Sequence, residues 1–336
     1  MTTRTDLTQE PLDMFWRFIC ERQDVWYRRV VLQDEPPWTD EEILQKYRFT
    51  NVYRQLDPGT QYAIQEILER DESKPDKIFN VMIYRLIGRS ETHEHVGFQR
   101  LGEFDPNSFE EELKTRRDQL DEPVFTGAYM VSGYNQMGSS DKVENIARLF
   151  GEVQDRFDRF YEAVEKSSEL KQVYSAIREL PGFGNFLSYQ VLVDLLYPLQ
   201  VYGGNSLLPY CQNDWSSPGP GAQRGLKTLL TNPKDHSYLD AMQWLRQHQI
   251  EEFDRLGLDF PYLQDNEGRR IELSLADIQN CLCEFYKYHK IYHAEGRARR
   301  RFRIPNSRSS MELENIYSDS PVSLTLQHYV QAMASD

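Results

Sequence analysis

The sequence predicts an all-α protein built around a helix-hairpin-helix element. Apolar residues recur at helical spacing along most of the 336-residue chain. Caps and Pro/Gly breaks punctuate that pattern where helices should start and stop. Leu180-Pro181-Gly182-Phe183-Gly184 then ends one helix directly before the apolar run Phe186 to Leu196. A turn of this kind lets a backbone approach closely and leaves unpaired N–H groups at the start of the next helix. Such donors suit phosphate, and phosphate contacts hold DNA without reading its sequence.

Phe15, Phe18, Ile19, Val25, Trp26 and Val30 predict a long amphipathic first helix, which Pro36-Pro37-Trp38 ends. Thr39 to Glu42 has capping-box spacing and predicts a helix through Tyr47. Asp57-Pro58 opens another to about Arg70, and Pro75 opens one with Phe79, Met82, Ile83 and Leu86 on one face. Residues 97–106 read as loop and 108–120 as helix. Residues 124–133 are rich in glycine and in β-branched and aromatic residues, which fits either a short hairpin or an irregular loop. Helices are expected over 141–166 and 168–179, followed by the hairpin and its second helix to Tyr197. Residues 198–225 read as one long loop, ordered by Tyr202, Tyr210 and Trp215 and suited to a function. Helices over 235–256 and from a Ser274/Asp277 cap to Lys290 complete the series. The expected single domain covers 13–304, with 1–12 and 306–336 as flexible tails.

Aromatic residues make up 12% of the chain, which favours a packed globule even at a mean hydropathy of -0.69. Cys20, Cys211, Cys281 and Cys283 have neither disulfide-scaffold nor zinc-ribbon spacing, so reduced thiols are expected. The polar start resembles no signal peptide, and no run reaches the length of a membrane span. The expectation is an intracellular protein without membrane contact, nuclear in a eukaryote and otherwise cytoplasmic. A net charge of -14 argues against a passive DNA-coating protein, although local field matters more than the total. Against that background Arg297, Arg299, Arg300, Arg301 and Arg303 form a basic cluster that suits phosphate contact, nuclear import or a solvated helix end, with phosphate contact preferred.

Asp194 lies in an apolar stretch, where a carboxylate is costly to bury unless paired or employed in chemistry. It either pairs with an arginine or caps a neighbouring helix, or it acts as a catalytic or substrate-orienting acid, and Asp214 is a second candidate. Gly219, Gly221, Arg224 and Lys227 suit a phosphate or pyrophosphate cradle made from a backbone nest and a fork of donors; a structural Gly/Pro loop is the alternative. Asn51, Arg54 and Asp57 lie three apart and would share a helix face, either solvated or lining a pocket. His93 and His95 lack a third ligand and read as surface histidines, so no metal site is expected. Gly182, Gly184 and Asn185 of the hairpin, with Arg299, Arg300 and Arg301, are the expected DNA contacts.

Several of these stretches together resemble a known family. They are Phe15 to Ile19 with Glu21-Arg22, Pro36 to Thr39, Arg48 to Arg54, Leu180 to Gly184, Asp194 to Tyr197 and Gly219 to Gly225. The chain resembles the α-glutamyl/putrescinyl-thymine pyrophosphorylases, whose module is also called the 5-hydroxymethyluracil DNA kinase helical domain. The resemblance implies a fold similar to helix-hairpin-helix DNA glycosylases. It also implies a transferase that replaces pyrophosphate on 5-hydroxymethyluracil in DNA with an amine or amino acid. Some relatives carry a kinase, but no Gly-x-x-x-x-Gly-Lys-Ser/Thr occurs here, so a separate DNA-base kinase is an expected partner. No cofactor is implied beyond Mg2+, which pyrophosphate chemistry often recruits.

The chain departs from the glycosylase pattern. The position matching their catalytic aspartate falls near Gly203-Gly204, and the hairpin carries Asn185 and Phe186 where bifunctional enzymes have lysine. In the implied reaction Asp194 or Asp214 would handle the amine, and Asn51, Arg54 and Asp57 would read the base. Two alternatives stay open: a glycosylase that excises a modified base, and a non-catalytic reader of modified DNA.

Overall fold

The computed structural model describes residues 2–265, 268–296 and 301–302. Among the described residues, fourteen α-helices with short 3-10 and wider helical turns and one two-stranded pair make up the regular structure, so the all-α expectation holds. The chain forms two compact units where the sequence suggests one domain. Unit 1 joins the residues up to Pro58 with those from Trp215 onward, and unit 2 is Gly59–Asp214.

In chain order α1 is Gln9–Trp26, prolonged by a wider turn over Tyr27–Val31, and α2 is Glu42–Lys46. The cap of α2 is Glu41, whose carboxylate accepts Ile43 N–H at 3.2 Å. The Thr39 hydroxyl instead donates to Glu21 and accepts Glu41 N–H at 3.0 Å, so the expected capping box does not form. Residues 2–12 are no tail. Leu7 pairs with Leu230, Thr8 N–H donates to Leu229 at 2.7 Å, and Leu7 and Leu12 enter the core.

Unit 2 begins within α3 (Pro58–Ala63), which continues through Ile64–Leu68. Next come α4 (Lys74–Ile87), α5 (Ser90–Val96) and α6 (Pro106–Lys114). Helix α4 starts where Ser73 Oγ accepts Asp76 N–H at 3.2 Å, and it stops at Gly88 with φ of 68°. Residues 124–133 are an irregular loop, which resolves the open alternative. Then follow α7 (Lys142–Asp155), α8 (Phe157–Glu165), α9 (Leu170–Glu179) and α10 (Asn185–Asp194). Phe79 on α4 is the hub of the unit 2 core, set edge-on against Phe104, Phe150 and Phe157 at 5.1 to 5.9 Å. Each such fully buried phenyl ring stabilises by roughly 1.5–3 kcal/mol.

Residues 198–225 are not one loop. A short 3-10 turn occupies Gln200–Tyr202, and α11 begins at Pro220 and runs to Leu229. Pro220 takes the first helical position, where its fixed φ fits and no N–H is needed. The aromatic residues do fasten the remainder within unit 2. Tyr202 OH accepts from Lys77 Nζ at 3.1 Å, and Tyr210 OH donates to Ser167 at 2.7 Å.

The C-terminal part of unit 1 holds α12 (Tyr238–Gln247), α13 (Gln249–Arg255), the antiparallel pair β1 (Leu263–Gln264) and β2 (Arg270–Ile271), and α14 (Leu275–Tyr292). The expected helix over 235–256 breaks at His248. There the buried Gln249 side chain leaves the helix pattern to bond the Leu273 backbone through both amide ends. Helices α1, α11, α12 and α14 enclose the unit 1 core, including Phe15, Trp16, Leu226, Leu245 and Phe285. Among the described residues no helix is long and apolar enough to cross a membrane.

His93 is a buried residue of unit 2, only 3% exposed, which corrects its expected surface position. Its Nδ1 lies 3.0 Å from Tyr62 OH, and burial pulls its pKa down to about 4. An unfolded histidine titrates near 6.5, so between these values the unfolded chain binds the extra proton and stability falls as pH falls. This one group should remove roughly 3 kcal/mol between pH 6.5 and pH 4. In urea melts at pH 7 and 4.5, His93→Phe should be less stable than wild type at pH 7 and should narrow that gap markedly at pH 4.5. An equal gap at both values would refute the assignment.

Candidate functional site

Helix α14 is the spine of the main polar cluster in unit 1. Its start is fixed by the expected capping box, with Ser274 Oγ accepting Asp277 N–H and Asp277 accepting Ser274 N–H. One side of the helix holds residues 48–57. Arg54 N–H donates to Asp277 at 2.8 Å, Asn280 Nδ2 donates to the Asn51 carbonyl at 3.0 Å, and Thr50 N–H donates to Glu284 at 3.0 Å. Lys287 Nζ closes the upper end on the Arg48 carbonyl at 2.8 Å.

Asn51, Arg54 and Asp57 are not on a helix face. Their segment is extended except for a 3-10 turn at Arg54–Leu56, because the residue before Pro58 is driven out of the helical region. The loop nevertheless brings its ends together. Asn51 N–H donates to Asp57 at 3.0 Å, and Asn51 Nδ2 donates to the Leu56 carbonyl at 2.8 Å.

Arg22 of α1 completes the cluster. Its guanidinium donates to the carbonyls of Phe49 and Thr50 and to Asn51 Oδ1 at 2.9 to 3.3 Å. Burial pulls the Arg22 pKa down to about 10 against the opposing pull of Asp57 and Glu284. Burial likewise pushes the Asp57 carboxyl up to about 6, with Arg54, Asn51 N–H and Arg22 resisting. A carboxyl poised there can exchange a proton near neutral pH, and perturbed groups of this kind concentrate at functional sites.

The opposite side of α14 receives α11. A Cβ on Gly221 would lie 2.2 Å from Cys283 Sγ, and one on Gly225 would lie 2.3 Å from the Leu282 carbonyl oxygen. These glycines are close-approach residues. Neither Gly219 nor Gly221 has the positive φ that an alternating backbone nest requires, so the expected nest does not form. What stands there is a helix N-terminus capped by Gly219 without a side chain. Arg224 lies over the Tyr286 ring at 5.6 Å, and Lys227 is exposed one turn on. Burial raises the Cys283 thiol to about 11, with Lys287, Arg224 and Arg54 opposing. Arg54 and Arg224, distant in sequence, therefore act on one thiol.

In unit 2, Asp194 is wholly buried and both carboxylate oxygens are taken by Arg85, one from Nε and one from Nη2 at 2.6 Å. This is the paired arrangement that its apolar surroundings demand. Asp214 is exposed; it accepts Cys211 N–H at 2.8 Å and the Cys211 thiol at 3.0 Å. It borders an open cleft of about 710 Å³ shared with Lys74, Glu165, Ser167 and Tyr210. The hairpin turn uses positive φ only at Gly182 (84°), where a Cβ would meet Leu149 at 2.6 Å. Gly184 caps α10, and Gly184, Asn185 and Phe186 are exposed at its start.

Arg299 and Arg300 lie outside the described residues. Arg301 is exposed and forms an isolated bridge with Tyr47. The sequence reading assigned no role to Arg22, Asp277, Asn280, Glu284 or Arg85. Arg22 carried a signal: it sits on the buried stripe of α1, three residues after Ile19 and four before Trp26.

A helical protein with a polar cluster around one long helix and a glycine hairpin in its second unit is the class this fold defines. The chain belongs to the family described as "5-hmdU DNA kinase, helical domain", whose model matches residues 9–298. It is 32% identical over 300 residues to the 5-hmdU DNA kinase of Bacillus phage SP10, covering 84% of this chain. It spans 45% of that relative, less than half its length. No solved structure matches the chain.

Proposed function

We propose that this protein modifies 5-hydroxymethyluracil in DNA, as a transferase that joins an amine or amino acid to the activated base. The observation that carries the reading is the family match, which spans both units and includes the 48–57 segment, the hairpin and the start of α11. The phage relative, a 5-hmdU DNA kinase by name, supplies the base. A base is reachable for such chemistry only once it leaves the stack.

In this reading Gly182, Gly184 and Asn185 hold backbone phosphate through the open N–H groups of α10, and Arg301 adds a phosphate contact. The polar cluster of unit 1 receives the base, with Arg22, Asn51 and Arg54 offering donors. The amine nitrogen attacks the base methylene, the C–N bond forms, and the C–O bond to pyrophosphate breaks with its electron pair. Asp57 takes the amine proton. Its raised pKa suits that role better than Asp194, whose oxygens Arg85 occupies, or Asp214, which holds Cys211. Gly219, Gly221, Arg224 and Lys227 receive the leaving pyrophosphate, and Mg2+ is the cation to supply with it. A separate kinase activity would install the phosphate.

The test is nucleoside mass spectrometry after incubating DNA that carries 5-hydroxymethyluracil, or its pyrophosphate ester, with protein, Mg2+ and mixed amines. An amine-bearing thymine is expected, with a rate that falls below about pH 6 in wild type and loses that limb in Asp57→Asn. Asp57→Asn should also lower the rate by roughly 10²–10⁴-fold. Free base or abasic sites would instead establish a glycosylase, and unchanged DNA bound tightly would establish a reader.

A further inference from the structure

Gln279 is a polar residue of unit 1 that the mechanism above leaves without work. It lies on α14, is 7% exposed, and its amide makes no hydrogen bond among the described residues. With no protein partner on this largely buried side chain, its amide donor stays open to an outside acceptor. Its Nε2 stands 3.7 Å from the place a Cβ would take on Gly219, the residue that caps α11. Gln279 thus reaches the start of α11 from the neighbouring helix.

That helix start is itself short of partners. Gly219 has no side chain to accept the N–H groups of Gly221 and Ala222, and Pro220 has no N–H. Helix α11 is ten residues long, enough for a terminal partial positive charge. Cys283, one turn after Gln279 on the same face, packs directly on Gly221, so a larger residue at 221 would intrude. Arg54 and Arg224 both act on the Cys283 thiol, which adds two positive charges to the neighbourhood. Glu284 opposes them, on the side of α14 that binds Thr50.

We infer that Gln279 is a substrate-contacting residue, a largely buried side chain whose amide completes a phosphoryl-oxygen site at the start of α11. The ligand is a phosphate or pyrophosphate group whose oxygens accept from Gly221 N–H, Ala222 N–H and Gln279 Nε2. This deepens, and rests on, the pyrophosphate role proposed for Gly219, Gly221 and Arg224. The competing role for Gln279 is structural: with its amide reversed, Oε1 would cap α11 and no ligand would be needed.

Two substitutions separate these roles, with inorganic pyrophosphate as probe, titrated by calorimetry into the full-length protein. Gln279→Leu keeps the volume and removes the donor. Gln279→Glu keeps the shape and places a carboxylate at the helix start, which would serve a structural cap well. The site predicts roughly tenfold weaker pyrophosphate binding in Gln279→Leu and a larger loss in Gln279→Glu, with melting temperatures near wild type. Unaltered binding in both folded variants, or no binding by wild type, would overturn it. A thermal loss in Gln279→Leu that Gln279→Glu restores, with binding unchanged, would establish the cap instead.

An unmodified oligonucleotide identifies the source of the phosphate. Competition with pyrophosphate that Gln279→Leu weakens assigns the site to the DNA backbone; absence of competition assigns it to the group on the base. Both results keep the phosphoryl site. Pyrophosphate binding that depends on Gln279 in a protein that leaves 5-hydroxymethyluracil DNA untouched would fail the proposed reaction alone. Amine transfer that proceeds with Gln279-independent pyrophosphate binding would fail this inference alone.

Discussion

Arg85→Met should destabilise unit 2 by about 3–5 kcal/mol, because it leaves a wholly buried carboxylate without its partner. Arg85 donates through two nitrogens to Asp194 and also to Thr60 Oγ1 at 3.1 Å, so one side chain ties α4, α3 and α10 together. Taking two charges out of water is expensive, and their attraction repays it only while both are present. Arg85→Met combined with Asp194→Leu should therefore recover much of what either change loses, since an apolar pair of similar volume avoids the desolvation cost. Urea melts of wild type, both single variants and the double variant measure this cycle. The alternative role of Asp194 gives the opposite pattern. A catalytic acid would lose activity in Asp194→Asn with stability nearly intact, and Arg85→Met would then be mild.

Gly225→Ala should cost about 2–3 kcal/mol, although alanine is the better helix former by about 1 kcal/mol. The added methyl would sit 2.3 Å from the Leu282 carbonyl oxygen and 3.0 Å from its carbon. Backbone cannot rotate away as a side chain can, so α11 and α14 must separate and the core beneath Leu226 and Leu229 must loosen. Gly221→Ala meets the Cys283 sulfur at 2.2 Å instead, and that neighbour can be shortened. Cys283→Ala should rescue Gly221→Ala substantially and should do nothing for Gly225→Ala. Thermal melts of the four variants decide it; equal rescue at both positions would contradict the contact geometry.

Much of the fold was legible in the sequence because helices are written in local terms. Phe79, Met82, Ile83 and Leu86 mark the buried face of α4, and Ser274 with Asp277 marks the start of α14, from residues a few positions apart. The misreadings arose where a distant residue intervened. Thr39 is drawn to Glu21, Gln249 to Leu273 and His93 into the core beside Tyr62, and none of these partners lies within a helical turn. The β1–β2 pair went unread because two-residue strands have no periodicity to detect. In the candidate site, Asn51, Arg54 and Asp57 were legible as a group, but the helix face proposed to unite them was not the cause. Loop closure, Arg22 and α14 assemble them. The glycines of α11 were visible as unusual, while their use against Cys283 and Leu282 was not.

By itself, then, the sequence determined an all-α chain, most of its helix boundaries, the glycine turn before α10 and the presence of a carboxylate in apolar surroundings at 194. These follow from backbone preference, capping and side-chain spacing, which act over a few residues. Only the tertiary structure decided that Arg85 holds Asp194 across 109 residues, that Arg22 reaches Asn51 and that Gln279 stands beside Gly219. Which charges meet is fixed by how the helices pack, because desolvation makes each buried polar group demand a partner without specifying where in the chain that partner lies.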